Sequence, residues 1–378
     1  MSYKNKISFR FSAIYFTIFL VIGINAPFWP LWLSSKGLDS RYIALVMSLS
    51  VLIKIFSNPF FAGLGDRYGN RRMPMIYLSL ISCIILLFLN SIQSLIFLSI
   101  LAILLWGAFA PLMPLAESMT TTATKQYSFD YGKIRLWGSV SFILMALSGG
   151  IIVENYGLIV VPYIMSFGAF CVFVSVLIAP SIYSPPSRHN FKILTLLRNR
   201  SFLPFLMACG AIQGSHGVYY SFATIHWKSL GISETIIGGL WAEGVLFEIF
   251  LLAYFYKIKK YFTAKTMIIV ASFTASLRWI LTMYFTDPIS LALIQTLHSI
   301  TFGLTHIAAI YYISETMPSR AQAKSQALYS AISMGIFMSL AIAISGDLFE
   351  LYKEKAFLFS AFLSLLAALI ALKIKKTN

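Results

Sequence analysis

The chain is 378 residues long, 58% hydrophobic and only 11% charged, with a formal net charge of +16. A soluble domain carries about 25% charged residues, so the composition excludes a water-soluble globule, a disordered chain, a collagen-like repeat and a small disulfide scaffold. What remains is a polytopic membrane protein, with 32 Phe, 20 Tyr and 7 Trp to supply lipid-facing surface and interface belts.

The N-terminus opens on Lys4, Lys6 and Arg10 and then runs apolar to Leu33. That run exceeds the apolar core of a signal peptide and has no small-residue cleavage site. A bilayer core takes about 20 helical residues, so an uncleaved first helix is predicted. Apolar runs of spanning length then recur over 10–33, 41–63, 73–90, 94–118, 135–154, 157–180, 203–227, 235–256, 266–285, 289–313, 325–345 and 356–373. The prediction is an all-α membrane protein with twelve transmembrane helices. Short links such as Asn155-Tyr156 force antiparallel neighbours.

The basic residues sit in clusters between these runs. With a cytoplasmic N-terminus, 22 of them fall in cytoplasmic segments and five outside, which satisfies the positive-inside rule. Both termini are therefore expected in the cytoplasm, and the positive charge needs no nucleic acid. Cys83, Cys171 and Cys209 each lie within an apolar run. They read as small buried hydrophobes, and no disulfide or metal spacing is present. No cofactor is implied.

The longest connection, 181–202, holds Pro185-Pro186 and four basic residues, and it follows six spans. The chain is expected to divide into a six-helix bundle over 1–180, a cytoplasmic linker over 181–202 and a second six-helix bundle over 203–378. Glu117-Ser118-Met119 closes the fourth span and Glu315-Thr316-Met317 the tenth. That echo supports an internal repeat, and transporters built on repeats place their site where the repeats meet.

The loop after the second span reads Ala62-Gly63-Leu64-Gly65-Asp66-Arg67-Tyr68-Gly69-Asn70-Arg71-Arg72. It resembles the loop signature of the major facilitator superfamily, a small residue followed by Asp-Arg-x-Gly and a basic pair. Ala62 and Asn70 depart from that pattern. The resemblance implies a fold of two six-helix halves and a monomer. Asp66, Glu117, Arg135 and Glu315, at cytoplasmic helix ends, are expected to form gate-type ion pairs that make and break between conformations.

A charge at the bilayer centre costs about 2.5–3.5 kcal/mol on insertion scales, so intramembrane charges are functional candidates. Lys54, His216, Glu243, Glu248 and Arg278 fall near the middle of their spans, with His298 and His306 close by. Lys54 either neutralises an anionic substrate or pairs with a fixed acid. For Arg278, on a helix that is peripheral in the superfamily fold, an ion pair with Glu248 is expected. Glu243 and Glu248 stand about 140° apart on their helix, so they cannot share one face. A buried carboxyl can hold a proton near neutral pH, which makes either a proton-coupling candidate. His216, Tyr219 and Tyr220 share a face at i, i+3, i+4. They can stack a ring or simply pack. His298 and His306 lie about 80° and 12 Å apart.

Pro27-Phe28-Trp29, Asp130 through Val140, Gln213-Gly214-Ser215-His216 with Tyr219-Tyr220, Arg278-Trp279, Leu297-His298 with Thr301-Phe302 and His306, and Gln326-Ala327 with Tyr329-Ser330-Ala331 together resemble the 3-phenylpropionic acid transporter family. The resemblance runs through nearly the whole chain. It implies proton-linked uptake of an aromatic monocarboxylate across a bacterial inner membrane. A basic residue at Lys54 and an acid at Glu248 fit the family, whereas Glu243 departs from it. The leading expectation assigns the substrate carboxylate to Lys54 and its ring to Trp29, Tyr219, Tyr220 and Trp241, beside His216. The proton is assigned to Glu248 with His298 or His306, tuned by Arg278. The alternative is a proton symporter of a neutral sugar, oligosaccharide or nucleoside, with Lys54 a structural counter-ion. No H-E-x-x-H, G-x-S-x-G or P-loop motif appears, which argues against an enzyme or an ATP-driven pump. No soluble domain is long enough for a sensor.

Overall fold

Helix follows helix along the computed structural model, which describes residues 3–182, 193–198 and 200–374, with no strand among them. Pro185, Pro186, Arg188 and Lys192 of the expected linker lie outside the described residues. Ten helical stretches there are long and apolar enough to cross a membrane. In chain order the helices are α1 (Tyr3–Ser35), α2 (Ser40–Arg67), α3 (Arg72–Phe88), α4 (Leu95–Phe109), α5 (Leu112–Tyr127), α6 (Tyr131–Tyr156) and α7 (Val160–Ile178). The short α8 (Ile193–Leu197) precedes α9 (Phe202–Ser215), α10 (Gly217–Ser229), α11 (Glu234–Ile258) and α12 (Ala264–Tyr284). Then come α13 (Pro288–Thr296), a π-helical turn at Ser299–Leu304, α14 (Thr305–Thr316), α15 (Ser319–Ala331), a second π turn at Ile332–Ile336, α16 (Phe337–Tyr352) and α17 (Phe357–Ala371).

Two expected spans look different in the structure. The seventh, 203–227, is not one continuous helix: it breaks at His216 into α9 and α10. The Ile212 carbonyl, which the regular ladder would offer to the His216 N–H, is taken instead by side chains. Ser215 Oγ donates to it at 2.7 Å and His216 Nδ1 at 3.0 Å. The His216 N–H turns to the Gln213 carbonyl at 3.1 Å. Such side-chain competition breaks the i→i−4 series. Near the C-terminus, only the turn Lys353–Ala356 separates α16 from α17, so Ser319–Ala371 forms one apolar stretch of 53 residues. That is more than twice the roughly 20 residues of one crossing.

The described chain forms two compact units. The first comprises Met1–Leu38, Leu52–Ser187 and Ser233–Ala242; the second comprises Asp39–Val51, Arg188–Ile232 and Glu243–Asn378. The first turns of α2 thus belong with the second unit, and the first turns of α11 with the first. Small residues explain both memberships. In the first unit, a Cβ on Gly150 or Gly238 would overlap a backbone carbonyl of the facing helix, at Glu234 and Ala146 respectively. Glu154 also accepts the Thr235 N–H at 3.0 Å. In the second unit, Gly346 of α16 faces Ala44 and the Ser40 carbonyl. Ser339 Oγ donates to the Ser48 carbonyl at 2.9 Å. Without a hydrophobic force between helices in lipid, such close backbone approach is a main source of packing energy.

The same rule builds the rest of the first unit. Gly23 meets Phe142 and Met145, Gly149 meets Ile24, and Gly168 meets Val21. Across α3 and α7, Ser166 Oγ donates to the Cys83 carbonyl at 3.0 Å. Helix starts are marked by side-chain caps: Asp130 for α6, Thr263 for α12 and Asp287, followed by Pro288, for α13.

Candidate functional site

The second unit holds a polar cluster centred on Arg278 of α12, whose side chain is 0% exposed. Nη1 donates to His298 Nδ1 at 3.1 Å and to Thr301 Oγ1 at 2.9 Å; Nη2 donates to Gln295 Oε1 at 2.7 Å. The guanidinium also lies 4.8 Å from the Tyr219 ring centre and 4.5 Å from that of Trp279. The expected ion pair with Glu248 is therefore corrected: among the described residues, the hydrogen bonds of this guanidinium go to neutral side chains. The physical reason is position. Gln295, His298 and Thr301 come from α13, the π turn and the residues between them, and they fill the face that Arg278 presents. Glu248 on α11 instead packs beside Gly303.

The direction of each hydrogen bond can be assigned, because a guanidinium has donors only. His298 Nδ1 must accept, so the neutral ring carries its proton on Nε2. Thr301 accepts from Arg278 and lies 3.3 Å from His216 Nε2. His216 Nδ1 faces a carbonyl and donates to it, and the single Thr301 hydroxyl hydrogen lies between His216 Nε2 and the His298 carbonyl, each 3.3 Å away. Gln295 accepts through Oε1 and donates through Nε2 to Tyr219 Oη at 2.7 Å. Polarity thus runs outward from the guanidinium, and His298 carries its N–H on Nε2, the side of the ring away from Arg278.

Aromatic rings enclose the cluster. His216 stacks on Tyr220 at 5.7 Å between ring centres and meets Trp279 edge-on at 5.0 Å. Trp279 Nε1 donates to Ser215 Oγ at 2.9 Å. His298, Phe302 and His306 form a column with centres 5.3 and 6.5 Å apart and planes within 7° and 13°. A regular α-helix leaves residues eight apart about 80° out of line. The π turn accommodates an extra residue and removes that lag. His306 Nδ1 then meets Tyr329 Oη at 3.3 Å. Gly244 and Gly303 let α11 approach this column, against His298 and Glu248 respectively. Gly244 and Glu248 share that face of α11. Glu243, half-buried, points elsewhere on the helix.

The MFS_1 like family matches residues 8–361. The chain belongs to that family. It is a membrane transporter of the major facilitator type and not an enzyme. A protein of Escherichia coli (strain K12) named a probable 3-phenylpropionic acid transporter is 28% identical over 369 residues, 95% of this chain and 96% of its own. A maltose permease of Geobacillus stearothermophilus is 22% identical, over 97% of this chain and 94% of its own. A crystal structure of the nucleoside transporter NupG matches with a TM-score of 0.81 at 16% identity, covering 97% of this chain and 98% of that one. At that identity the likeness concerns the fold alone.

Apart from Glu315, the other sequence candidates lie in the first unit of this transporter. Lys54 of α2 holds its ammonium 4.6 Å from the Trp106 ring centre on α4. Among the described residues of its own unit it forms no salt bridge to a carboxylate. Trp29 is buried and stacked on Trp32 at 4.8 Å, and Trp32 Nε1 donates to Asn90 Oδ1 at 3.1 Å. Trp241 is buried on the first turns of α11.

Of the expected gate residues, Asp66 is bound by Arg71, five residues on, with Nε at 3.0 Å. Gly69 between them has φ +62°, a left-handed turn suited to glycine. Arg71 also donates to Ser118 Oγ, and Arg72 Nε to the Val176 carbonyl at 2.9 Å. The loop signature thus clips α2 and α3 to α5 and α7. Glu117 is half-buried and feels the charge of Arg135. The Arg135 guanidinium lies 4.4 Å from the Phe19 ring centre. Glu315 is exposed at the end of α14.

Gln295 and Thr301 were not among the sequence candidates as ligands of Arg278. Their signal was available: Gln295 stands three residues before His298 and Thr301 three after, which places all three on one helix face.

Proposed function

We propose that this transporter performs proton-coupled uptake of a small aromatic carboxylate by alternating access. The observation that carries this reading is Arg278: a buried permanent cation whose hydrogen bonds among the described residues go to neutral side chains, set among rings, with the His298 N–H on the outer side. A charge in such surroundings favours an anion nearby. A ring N–H favours a carboxylate acceptor, and the rings of Tyr219, Tyr220 and His216 suit an aromatic body. Lys54 over Trp106 is a second such cation, in the first unit. The likeness to the 28% identical relative supports the same substrate class.

In this reading Lys54 takes the carboxylate, with Trp29, Tyr219, Tyr220 and Trp241 about the ring. Glu248, with His298 or His306, carries the proton, and Glu243 sets substrate preference. Asp66, Glu117, Arg135 and Glu315 balance the two states. The chain crosses the membrane twelve times, in halves 1–180 and 203–378 joined by 181–202. Division of the 53-residue stretch at Lys353–Ala356, together with the broken helix at His216, raises ten apolar stretches to twelve crossings. Both termini are cytoplasmic, in a bacterial inner membrane, and the working unit is a monomer.

The test is uptake in energised inverted and right-side-out vesicles. Labelled 3-phenylpropionate is offered with and without a protonophore, beside a sugar and nucleoside panel. Protonophore-sensitive accumulation of the acid is expected. Accumulation of a neutral solute in its place would favour the second reading, a proton symporter of a sugar or nucleoside, which the rings around His216 also suit.

A further inference from the structure

A groove opens on the first unit between α1 and α6, with a volume of about 260 Å³, lined by Phe9, Ser12, Ala13, Phe16, Thr17 and Trp137. The α1 residues recur at i, i+3, i+4, i+7 and i+8, a single helical stripe. Small residues between the Phe rings form its floor, and the half-exposed Trp137 forms its wall. Thr17 hides its hydroxyl on the Ala13 carbonyl at 2.9 Å and Ser175 Oγ at 3.1 Å, so it presents its methyl group.

The two helices run in the same direction. Phe16 meets Trp137 and accepts from Ser141 Oγ, Gly23 meets Phe142 and Met145, and Ile24 meets Gly149. Residue numbers rise together, so both N-termini lie at one end of the groove. Lys6 stands three residues before Phe9, and Lys133 four before Trp137. Each therefore continues a groove-lining stripe by one turn. Lys6, Arg10 and Lys133 are all exposed. The acids at that end are engaged: Asp130 caps α6, accepting from Gly132 N–H at 2.9 Å and Lys133 N–H at 3.3 Å, and Glu117 faces Arg135. Arg135 is turned away from the rim, onto Phe19 and Tyr15. Two parallel helix N-termini add positive charge at the rim.

An apolar, aromatic-walled cleft with a basic rim at one end matches a molecule with a hydrocarbon chain and an anionic head. We propose that this groove binds an anionic phospholipid, its acyl chain along Phe9, Ala13, Phe16 and Trp137 and its phosphate at Lys6, Arg10 and Lys133. A zwitterionic lipid would fill the cleft but leave the rim uncompensated. Each basic residue at an anionic surface is worth roughly fivefold in binding.

The test uses the purified full chain in detergent, titrated with dioleoyl phosphatidylglycerol, dioleoyl phosphatidylcholine or inorganic phosphate while thermal unfolding is followed. Phosphatidylglycerol should raise the unfolding temperature at a lower mole fraction than phosphatidylcholine, and phosphate alone should not. The variant K6Q/K133Q should shift the phosphatidylglycerol titration by about 25-fold toward that of phosphatidylcholine, with uptake unchanged when the lipid is saturating. The variant A13W should abolish the response by filling the cleft. Independently, phosphatidylglycerol with brominated chains should quench part of the tryptophan fluorescence, and W137F should remove that quenched part even if A13W does not fold. Equal titrations by the two lipids, an equal shift from phosphate, or a preference that survives K6Q/K133Q would each overturn the proposal.

Discussion

Arg278 and Lys54 bring positive charge into the apolar interior in different ways. Arg278 spreads its charge over His298, Thr301 and Gln295, and only a planar fork can reach all three acceptors. An ammonium is a point charge with a shorter reach. R278K should therefore keep the charge and lose the geometry, lowering uptake by about 10²-fold, the value of two charge-assisted hydrogen bonds, while the protein still reaches the membrane. Uptake normalised to protein in the membrane checks this. Lys54 rests on the face of Trp106, a contact worth about 2 kcal/mol when desolvated. K54Q should insert normally and raise the KM for the carboxylate at least tenfold with a smaller effect on the maximal rate. Unchanged uptake of the acid by K54Q would remove Lys54 from the carboxylate-binding role.

At the scale of the element, irregular helices shape the site. The break at His216 frees that ring to join Thr301, and the π turn at Ser299–Leu304 brings His298, Phe302 and His306 into one column. A π turn is one residue added to an α-helix, so deleting one residue there should restore the regular helix. Deletion of Ile300 should rotate His298 by about 100° relative to His306 and separate it from Arg278. Uptake should fall to background while helical content, read by circular dichroism, stays the same. The break was hidden in the sequence because Ser215 and His216 are unremarkable in a polar helix face. Only the shared Ile212 carbonyl turns them into a helix stop.

At the scale of the whole molecule, α2 and α11 each divide between the two units. The first turns of α2 sit on α16 through Gly346 packing and through the Arg41–Asp347 pair at 2.8 Å. These two contacts have unequal weight. The pair is 57% and 66% exposed at its side chains, and such pairs contribute about 0–1 kcal/mol. Side chains added at Gly346 would strike Ala44, the Ser40 carbonyl and Arg41, and overpacking costs about 1–3 kcal/mol. G346V should therefore lower the unfolding temperature in detergent clearly, and R41Q should barely move it. The reverse order would show that the ion pair, not the backbone approach, holds this end of α2.

Composition, hydrophobic run lengths and the placement of Lys and Arg were enough to read an all-helical membrane transporter from the sequence, because the bilayer forces backbone groups into helices and leaves a strong linear signal. The loop from Ala62 to Arg72 and the motifs around His216 and His298 carried the family. The sequence also marked Arg278, His216, Tyr219 and His298 as residues of interest, since each is costly or polar in an apolar run. It did not determine their partners. Sequence alone pairs Arg278 with the nearest plausible acid, whereas the fold places neutral Gln295 and Thr301 around it and sets Glu248 beside Gly303. Tertiary structure decided this because hydrogen-bond partners depend on how two helices rotate against each other. Here that rotation is set by Gly244, Gly303 and one extra residue in a π turn, features that a periodicity of hydrophobicity does not record.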